Sequence, residues 1–379
     1  PSRPPHRPAP QPFHPTLLMA SWATLLPALL TGLPRAVAAE VSLPFVLVSD
    51  LDRASLVAGE GSWRAFLRYG ELLLDDAAGG CDAAAERQQQ HCPAPTRRYR
   101  VRMGREEELR SRHAYRGRGM ELSDLALFGD PAELWSVCDS TGILHRLAGP
   151  LAAEGPRSVL PQRVLLDDGG TSHLPAKSEW MAVKDGLLHV GGHGKEWVSG
   201  GVIRGRGAEW VRVISAEGAL QYQDWRERYG AIRNATGTSF PGYLSHEAVD
   251  WDAVHRRWVM APRKAQASDV PGGYDDLADE QRGTNLLLQA SEDFRTIRQT
   301  TVGSLEPAWG ASGLRLLPAG ADAGQARHAL IVRSSEVGGS AQSSLGVFSV
   351  EDGQPMASSA LWHPVGPRKY EGVAWLIDE

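Results

Sequence analysis

From Leu43 onward the chain is written in short runs of apolar and β-branched residues, each closed by turn-forming residues. Examples are PFVLVSD, RYGELLLDD, LWSVCDSTGILHRL, LLHVGG, RRWVMAPR, HALIVRS and LGVFSVEDG. Runs of this length bounded by Gly, Asp, Asn and Ser predict β-strands, and the Asp-Ser-Thr-Gly in SVCDSTGILHRL predicts a hairpin turn. A 3.6-residue period shows only over Asp224–Arg233 and, more weakly, over Asp275–Gln281. The fold class expected is all-β.

Within that pattern an acid or hydroxyl recurs at the head of an apolar run: Asp52, Ser123, Glu179, Glu247, Ser312 and Glu371. The steps between them are 71, 56, 68, 65 and 59 residues, with a mean near 64. About four strands per period describe the blade of a β-propeller, whose sheets protect one another's edges. Five such periods fill 43–379, so a five-bladed β-propeller over 41–379 is predicted. A polar residue at the innermost strand of each blade would face the central channel. Ser123, Asp124, Glu179, Glu247, Ser312 and Glu371 would then form a ring of oxygen donors without Cys or His. Calcium takes 6–8 such oxygens, whereas zinc or copper asks for nitrogen or sulfur. A central Ca²⁺ site is expected.

Charge changes the picture mainly by exclusion. Forty Lys and Arg against 45 Asp and Glu give −5, which leaves no global footprint for nucleic acid. The uncharged stretch from Leu17 to Leu33, followed by Ala36-Val37-Ala38-Ala39, reads 1–40 as a targeting segment, either a cleaved secretory signal or a signal anchor. The rest of the chain is expected in an ER, Golgi or extracellular lumen, and at a membrane only if that segment stays uncleaved. Cys81 and Cys92 could close a short disulfide loop, leaving Cys138 over, and Asn234-Ala235-Thr236 is an N-glycosylation sequon. The 75–98 tract is low in complexity and reads as a surface insertion. The nine arginines of 97–118, interleaved with Glu106, Glu107 and Glu108, read as a solvated hairpin.

Several signatures fail on inspection. His246-Glu247 begins a zincin motif that stops because residue 250 is Asp, and Gly310-Ala-Ser312-Gly313 is one residue short of a nucleophile elbow. Gly191-Gly-His-Gly194-Lys195 lacks the phosphate-loop spacing and is read as a strand-ending turn. No DxDxDG loop occurs, which excludes an EF-hand.

The segments VSDLDRAS (48–55), GRGMELSDL (117–125), KSEWMAVKDGLLHVGGHGKEW (177–197), PGYLSHEAVDW (241–251), RWVMAPRKA (257–265), DEQRGTNLLLQASEDF (279–294) and KYEGVAWL (369–376) resemble the calcium-activated nucleotidase family, the soluble apyrase-type nucleoside diphosphatases. The resemblance implies a five-bladed propeller with one channel calcium that hydrolyses nucleoside diphosphates, and to varying degrees triphosphates, to monophosphate and phosphate. It places the calcium residues at Ser123, Asp124, Glu179, Glu247, Ser312 and Glu371, some through backbone carbonyls. Asp52, Trp63 and Arg118 match positions tied to activity. Arg118 would hold the β-phosphate, Asp52 or Asp124 would orient or deprotonate the attacking water, and Trp63 would stack on the base. The chain departs from the family at Gly313, where a second Ser is usual, at Cys138-Asp139 in place of an Asp-Asp pair, and at His193. UDP and GDP are the expected substrates in an ER or Golgi lumen, ADP and ATP outside the cell. The alternatives are a propeller glycosidase with paired carboxylates and a non-catalytic calcium-stabilised binding propeller. Oligomeric state is open, a homodimer included.

Overall fold

The computed structural model describes residues 40–76, 97–151, 157–270, 279–322 and 327–377. The targeting segment and the Cys81–Cys92 loop lie outside them. The first strands are β1 (Val41–Ser49), β2 (Leu56–Val57), β3 (Ser62–Asp76) and β4 (Arg97–Ser111). Next come β5 (Leu122–Phe128), β6 (Glu133–Cys138), β7 (Ile143–Ala148) and β8 (Ser158–Val164), which pair consecutively as one antiparallel blade. The second blade is β9 (Trp180–Lys184), β10 (Leu187–Gly191), β13 (Trp210–Ile214) and β14 (Leu220–Asp224). A small hairpin, β11 (Trp197–Ser199) and β12 (Val202–Gly205), is inserted in it. The third is β15 (Tyr243–Asp252), β16 (Arg257–Gln266), β17 (Leu286–Ser291) and β18 (Ile297–Thr301); the fourth is β19 (Gly310–Leu316), β20 (His328–Val337), β21 (Ser340–Ser349) and β22 (His363–Gly366). The last strand, β23 (Tyr370–Trp375), pairs with β1, so the chain's two ends share the fifth blade with β3 and β4.

Burial grades outward from the axis as the sequence demands. The inner strands β19 and β23 are buried at every position, and their sequences GASGLRL and YEGVAW never alternate. The outer strand β4 alternates Arg and Glu with apolar residues, and β8 is almost wholly exposed. An inner strand has neighbouring blades on both faces, so it reads as a continuous run; an edge strand meets water on one. The inner strands β5, β9, β15, β19 and β23 contact one another in a closed ring.

The five apolar clusters each fill one junction between consecutive blades. Phe45, Leu330, Val347 and Trp375 join the fourth to the fifth, and Trp180, Trp225, Trp258 and Leu288 join the second to the third. The period-2 pleat supplies both faces of each sheet to such junctions.

Four expectations shift. Asp52 does not mark an inner strand as the other repeat positions do, because it follows β1, the second strand of the fifth blade, whose inner strand carries Glu371. Six repeat positions therefore serve five blades. The supposed insertion is shorter than 75–98, since Asp75 pairs with Arg98 and Asp76 with Arg97 in the ladder. The helix begins later than Asp224: α1 spans Arg226–Thr236 after Asp224 closes β14, and it stops at left-handed Gly237. Of the weaker helical stretch, Asp279–Gln281 forms one 3₁₀ turn, and 275–278 lie outside the described residues. Asn234 is exposed on α1, where its side-chain oxygen accepts from Ser239 at 2.6 Å.

Candidate active site

Four of the five blades carry a β-bulge at the predicted ring residue. Ser123 falls between the pairs Leu122–Cys138 and Asp124–Val137, and Ser312 falls between Ala311–Arg333 and Gly313–Val332. Glu247 is skipped between His246–Pro262 and Ala248–Ala261, and β23 carries one extra residue within Glu371-Gly372. Glu179 sits just before β9, its amide bonded to Gly191 O at 2.8 Å. A bulge takes a residue out of ladder pairing and re-aims it. The fold therefore frees one polar residue per blade near the axis.

The ring closes through glycine. A Cβ on Gly372 would lie 2.3 Å from Asp124 Cα, and one on Gly313 would lie 2.0 Å from Glu371 O. Gly313, the departure from the family's second Ser, thus lets β19 approach β23. Gly372→Ala is expected to force β23 away from β5 and destabilise the protein by about 2–4 kcal/mol, as overpacking of a close-packed site does. Urea unfolding would measure it, and an unchanged midpoint would contradict the close approach.

The ring's charge is concentrated in three glutamates, each beside a cation. Lys177 Nζ lies 2.8 Å from Glu179 Oε1, Arg263 Nη1 lies 2.5 Å from Glu247 Oε2, and Lys369 Nζ lies 3.1 Å from Glu371 Oε1. Arg263 also reaches Glu371 at 3.3 Å. Burial pushes the Glu179 carboxyl up to about 7 despite Lys177, with Asp139 and Glu247 adding like charge. Burial likewise drives Glu371 well above the usual range, against Lys369 and alongside Glu247 and Asp50. Glu371 Oε2 and Ser123 Oγ are buried without a protein partner. Ser312 Oγ donates to Tyr370 O at 2.9 Å and keeps its lone pairs. An all-oxygen set that includes buried oxygens without a protein partner fits a hard cation such as Ca²⁺.

Asp124 occupies a different place. Its Oδ1 accepts from Leu125 N and its Oδ2 from Met181 N, both at 2.7 Å, and Arg315 Nη2 meets both oxygens at 3.2 Å. Even its carbonyl accepts from Ser136 Oγ at 2.7 Å. Its oxygens are spent on joining β5, β9 and β19, and burial holds the carboxyl at about 6.

A second cluster adjoins the ring. Single carboxylate oxygens of Asp50, Asp52 and Glu121 lie within 4.8 Å of one another. Arg118 Nε donates to Glu121 Oε1 at 2.9 Å, and its Nη2 donates to Asp52 Oδ1 at 3.3 Å. Asp52 adopts φ 46°, its amide donating to Asp50 Oδ1 at 2.7 Å. The side chains of Arg118 and Asp52 are 40% and 47% exposed, so both face solvent while Glu121 is fully buried. Trp63 donates its indole N–H to Gly117 O at 3.3 Å, and its ring lies against Gly119, so it braces the loop that carries Arg118. Lys369 joins the clusters, with Nζ 3.0 Å from Asp50, 3.4 Å from Asp52 and 3.5 Å from Glu336. Burial opposes its charge, but Asp50, Glu371 and Glu336 hold its ammonium well above the usual value.

The sequence reading had not singled out Asp50, Glu121, Lys177, Arg263 or Lys369. A signal was present: the chain has only five lysines, and two of them, Lys177 and Lys369, stand two residues before a ring glutamate.

The Apyrase family model matches residues 51–376. Soluble calcium-activated nucleotidase 1 of Mus musculus is 34% identical over 331 residues, 87% of this chain and 73% of that protein. Apyrase apy-1 of Caenorhabditis elegans is 36% identical over 264 residues, 68% of each. An Apyrase of Phlebotomus duboscqi is 25% identical over 341 residues, 89% of each. With the family model covering nearly all of the propeller, the chain belongs to the apyrase family.

Proposed function

We propose that this protein hydrolyses nucleoside diphosphates, and triphosphates to a lesser degree, to nucleoside monophosphate and phosphate, and that it requires Ca²⁺. The observation that carries this reading is the juxtaposition of an all-oxygen ring at the axis with a solvent-facing Arg118–Asp52 pair, bridged by Lys369. Ser123, Glu179, Glu247, Ser312 and Glu371 would hold the ion. Calcium bound there would supply Lewis-acid polarisation of phosphate oxygens.

The chain's own residues do the rest. Arg118, aligned by Glu121, presents its guanidinium to the terminal phosphate in the forked geometry that suits phosphate oxygens. Lys369 adds a positive charge between that phosphate and the ring. Asp52 orients a water and takes its proton as the oxygen attacks the terminal phosphorus; the bond to the bridging oxygen breaks, and the nucleoside monophosphate leaves. Asp124, with its oxygens engaged, clamps the inner strands. The expected place of work is a secretory lumen, where glycosyl transfer leaves UDP and GDP; the uncharged Leu17–Leu33 stretch supports that location.

Phosphate release from UDP, GDP, ADP, ATP and UMP, with Ca²⁺, with Mg²⁺ and with a chelator, tests the reading. Release from di- and triphosphates only with Ca²⁺, and none from UMP, is expected. No release by folded, Ca²⁺-binding protein would overturn it in favour of a binding propeller. Asp52→Asn is expected to lower kcat by about 10²–10⁴ while calorimetric Ca²⁺ affinity stays the same.

A further inference from the structure

The outer half of the fifth blade carries a charge that the site above does not use. Residues 97–118 hold nine arginines against three glutamates, a net of +6 in a chain whose total is −5, so the remaining residues carry −11. Of the nine, only Arg118 belongs to the Arg118–Asp52 pair. Among the described residues, β4 pairs with β3 alone, apart from a single bridge between Arg98 and Ala357. Toward the end of β4 the charge gathers on one side. Ala65, Leu67 and Leu109 turn into the junction with the first blade. Arg64, Phe66 and Arg68 of β3, with Glu106, Glu108 and Arg110 of β4, therefore stand on the opposite face.

This face is not balanced from within. Arg64 stands directly opposite Arg110 in the ladder, a like-charge pair that an antiparallel sheet penalises. Among the described residues, Arg64, Arg68, Arg112 and Arg116 make no ion pair, and the Nε–H groups of Arg64 and Arg68 are buried without an acceptor. The guanidiniums of Arg64 and Arg368 share the Phe66 ring, at 5.8 Å and 3.8 Å from its centre. Three acids answer them: Glu106 takes Arg368 at 3.1 Å, while Glu60 and Glu108 both take Arg110. Arg64, Arg68, Arg110, Arg112, Arg116 and Arg368 thus outnumber those acids two to one. Ion pairs exposed on a surface contribute little, so they do not keep these guanidiniums from another anion.

We propose that this edge of the fifth blade docks a linear sulfated polysaccharide. Arg64 and Arg68 are four strand positions apart, about 13 Å, so one chain laid along the edge meets several guanidiniums in turn. A guanidinium takes sulfate or carboxylate oxygens in forked pairs, and a sulfated chain presents such groups at regular intervals. A single-stranded nucleic acid fits less well, because its bases need open aromatic faces to stack on. Phe66 is buried beneath Arg64 and Arg368, Tyr99 is buried in the junction with the fourth blade, and Arg116 lies over Tyr115 at 5.0 Å. None of the six arginines belongs to the ring or to the Arg118–Asp52 pair.

Calorimetry with a heparin-derived octasaccharide is expected to show binding that weakens steeply as NaCl rises, since salt screens exposed charges. Arg64→Gln, Arg68→Gln and Arg112→Gln combined should lower that affinity about tenfold or more. Arg204→Gln, Arg295→Gln and Arg298→Gln combined remove the same charge from exposed positions on other blades and should leave it within about twofold. No binding by the parent, or an equal loss in both triple variants, would overturn the proposal. Hydrogen exchange on the parent decides the matter should the first triple variant not fold: the octasaccharide should slow exchange over Arg97–Ser111 and leave α1 unchanged, and unaltered exchange along β4 would overturn the proposal. Displacement of the octasaccharide by pyrophosphate would move it to Lys369 and Arg118. Tighter binding of an oligothymidylate of equal charge would assign the edge to nucleic acid. Either result overturns the polysaccharide reading.

Discussion

Glu371→Gln is expected to weaken Ca²⁺ binding by more than the roughly 10–100-fold that loss of an outer-sphere partner costs, because a ring oxygen itself changes. Phosphate release at limiting Ca²⁺ should fall in parallel and recover in part at high Ca²⁺. Glu371 Oε2 is buried on β23 with no protein partner, at the bulge in its ladder and near the like charge of Glu247. An amide keeps the shape but halves the oxygens and removes the charge that a hard cation seeks. Stabilisation of the folded protein by added Ca²⁺ reads binding without any turnover, since a ligand that binds only the folded state raises its stability. Calcium affinity and calcium-induced stabilisation equal to those of the parent would remove Glu371 from the site.

Arg315→Ala is expected to have the largest effect on stability, a loss of about 3–5 kcal/mol, because it leaves the buried Asp124 carboxylate without its counter-charge. Arg315 also donates to Leu125 O, so one side chain stitches β19 to β5. Asp124→Asn separates two roles for the acid. If Asp124 served as the base, the variant would fold normally, bind Ca²⁺ and lose turnover. The clamp described above predicts the reverse: a lowered urea midpoint, with kcat of the folded fraction within a few-fold of the parent.

Asp124 also shows where a linear reading runs out. The pair Ser123-Asp124 stands at the head of an apolar run, and both residues offer oxygen. Successive side chains of a strand point to opposite faces. One of the two can therefore be free near the axis only if the other is committed elsewhere, and the bulge at Ser123 makes that assignment. A bulge is set by how two strands pair, which no single segment encodes. The same holds for Asp52. Its spacing from Ser123 mimics a blade period, yet it belongs to the blade completed by the far end of the chain.

The five-blade architecture was legible because it is periodic: runs of apolar residues, turn chemistry between them and a polar residue once per period. That Glu179, Glu247, Ser312 and Glu371 lie on or beside inner strands was legible for the same reason, since each recurs once per period. The outer bounds of β3 and β4 were not, because Asp75, Asp76, Arg97 and Arg98 look like loop residues and gain their strand pairing only from each other.

By itself the sequence determined the fold class, the number of blades and the oxygen character of the axis, since these follow from local periodicity and residue chemistry. The tertiary structure alone decided which acids are shared with cations and that Lys369 joins the ring to Asp50 and Asp52. Residues 50 and 369 lie at opposite ends of the chain and meet only because the propeller closes on itself. Contacts across that closure depend on the geometry of the whole ring, and no stretch of sequence carries it.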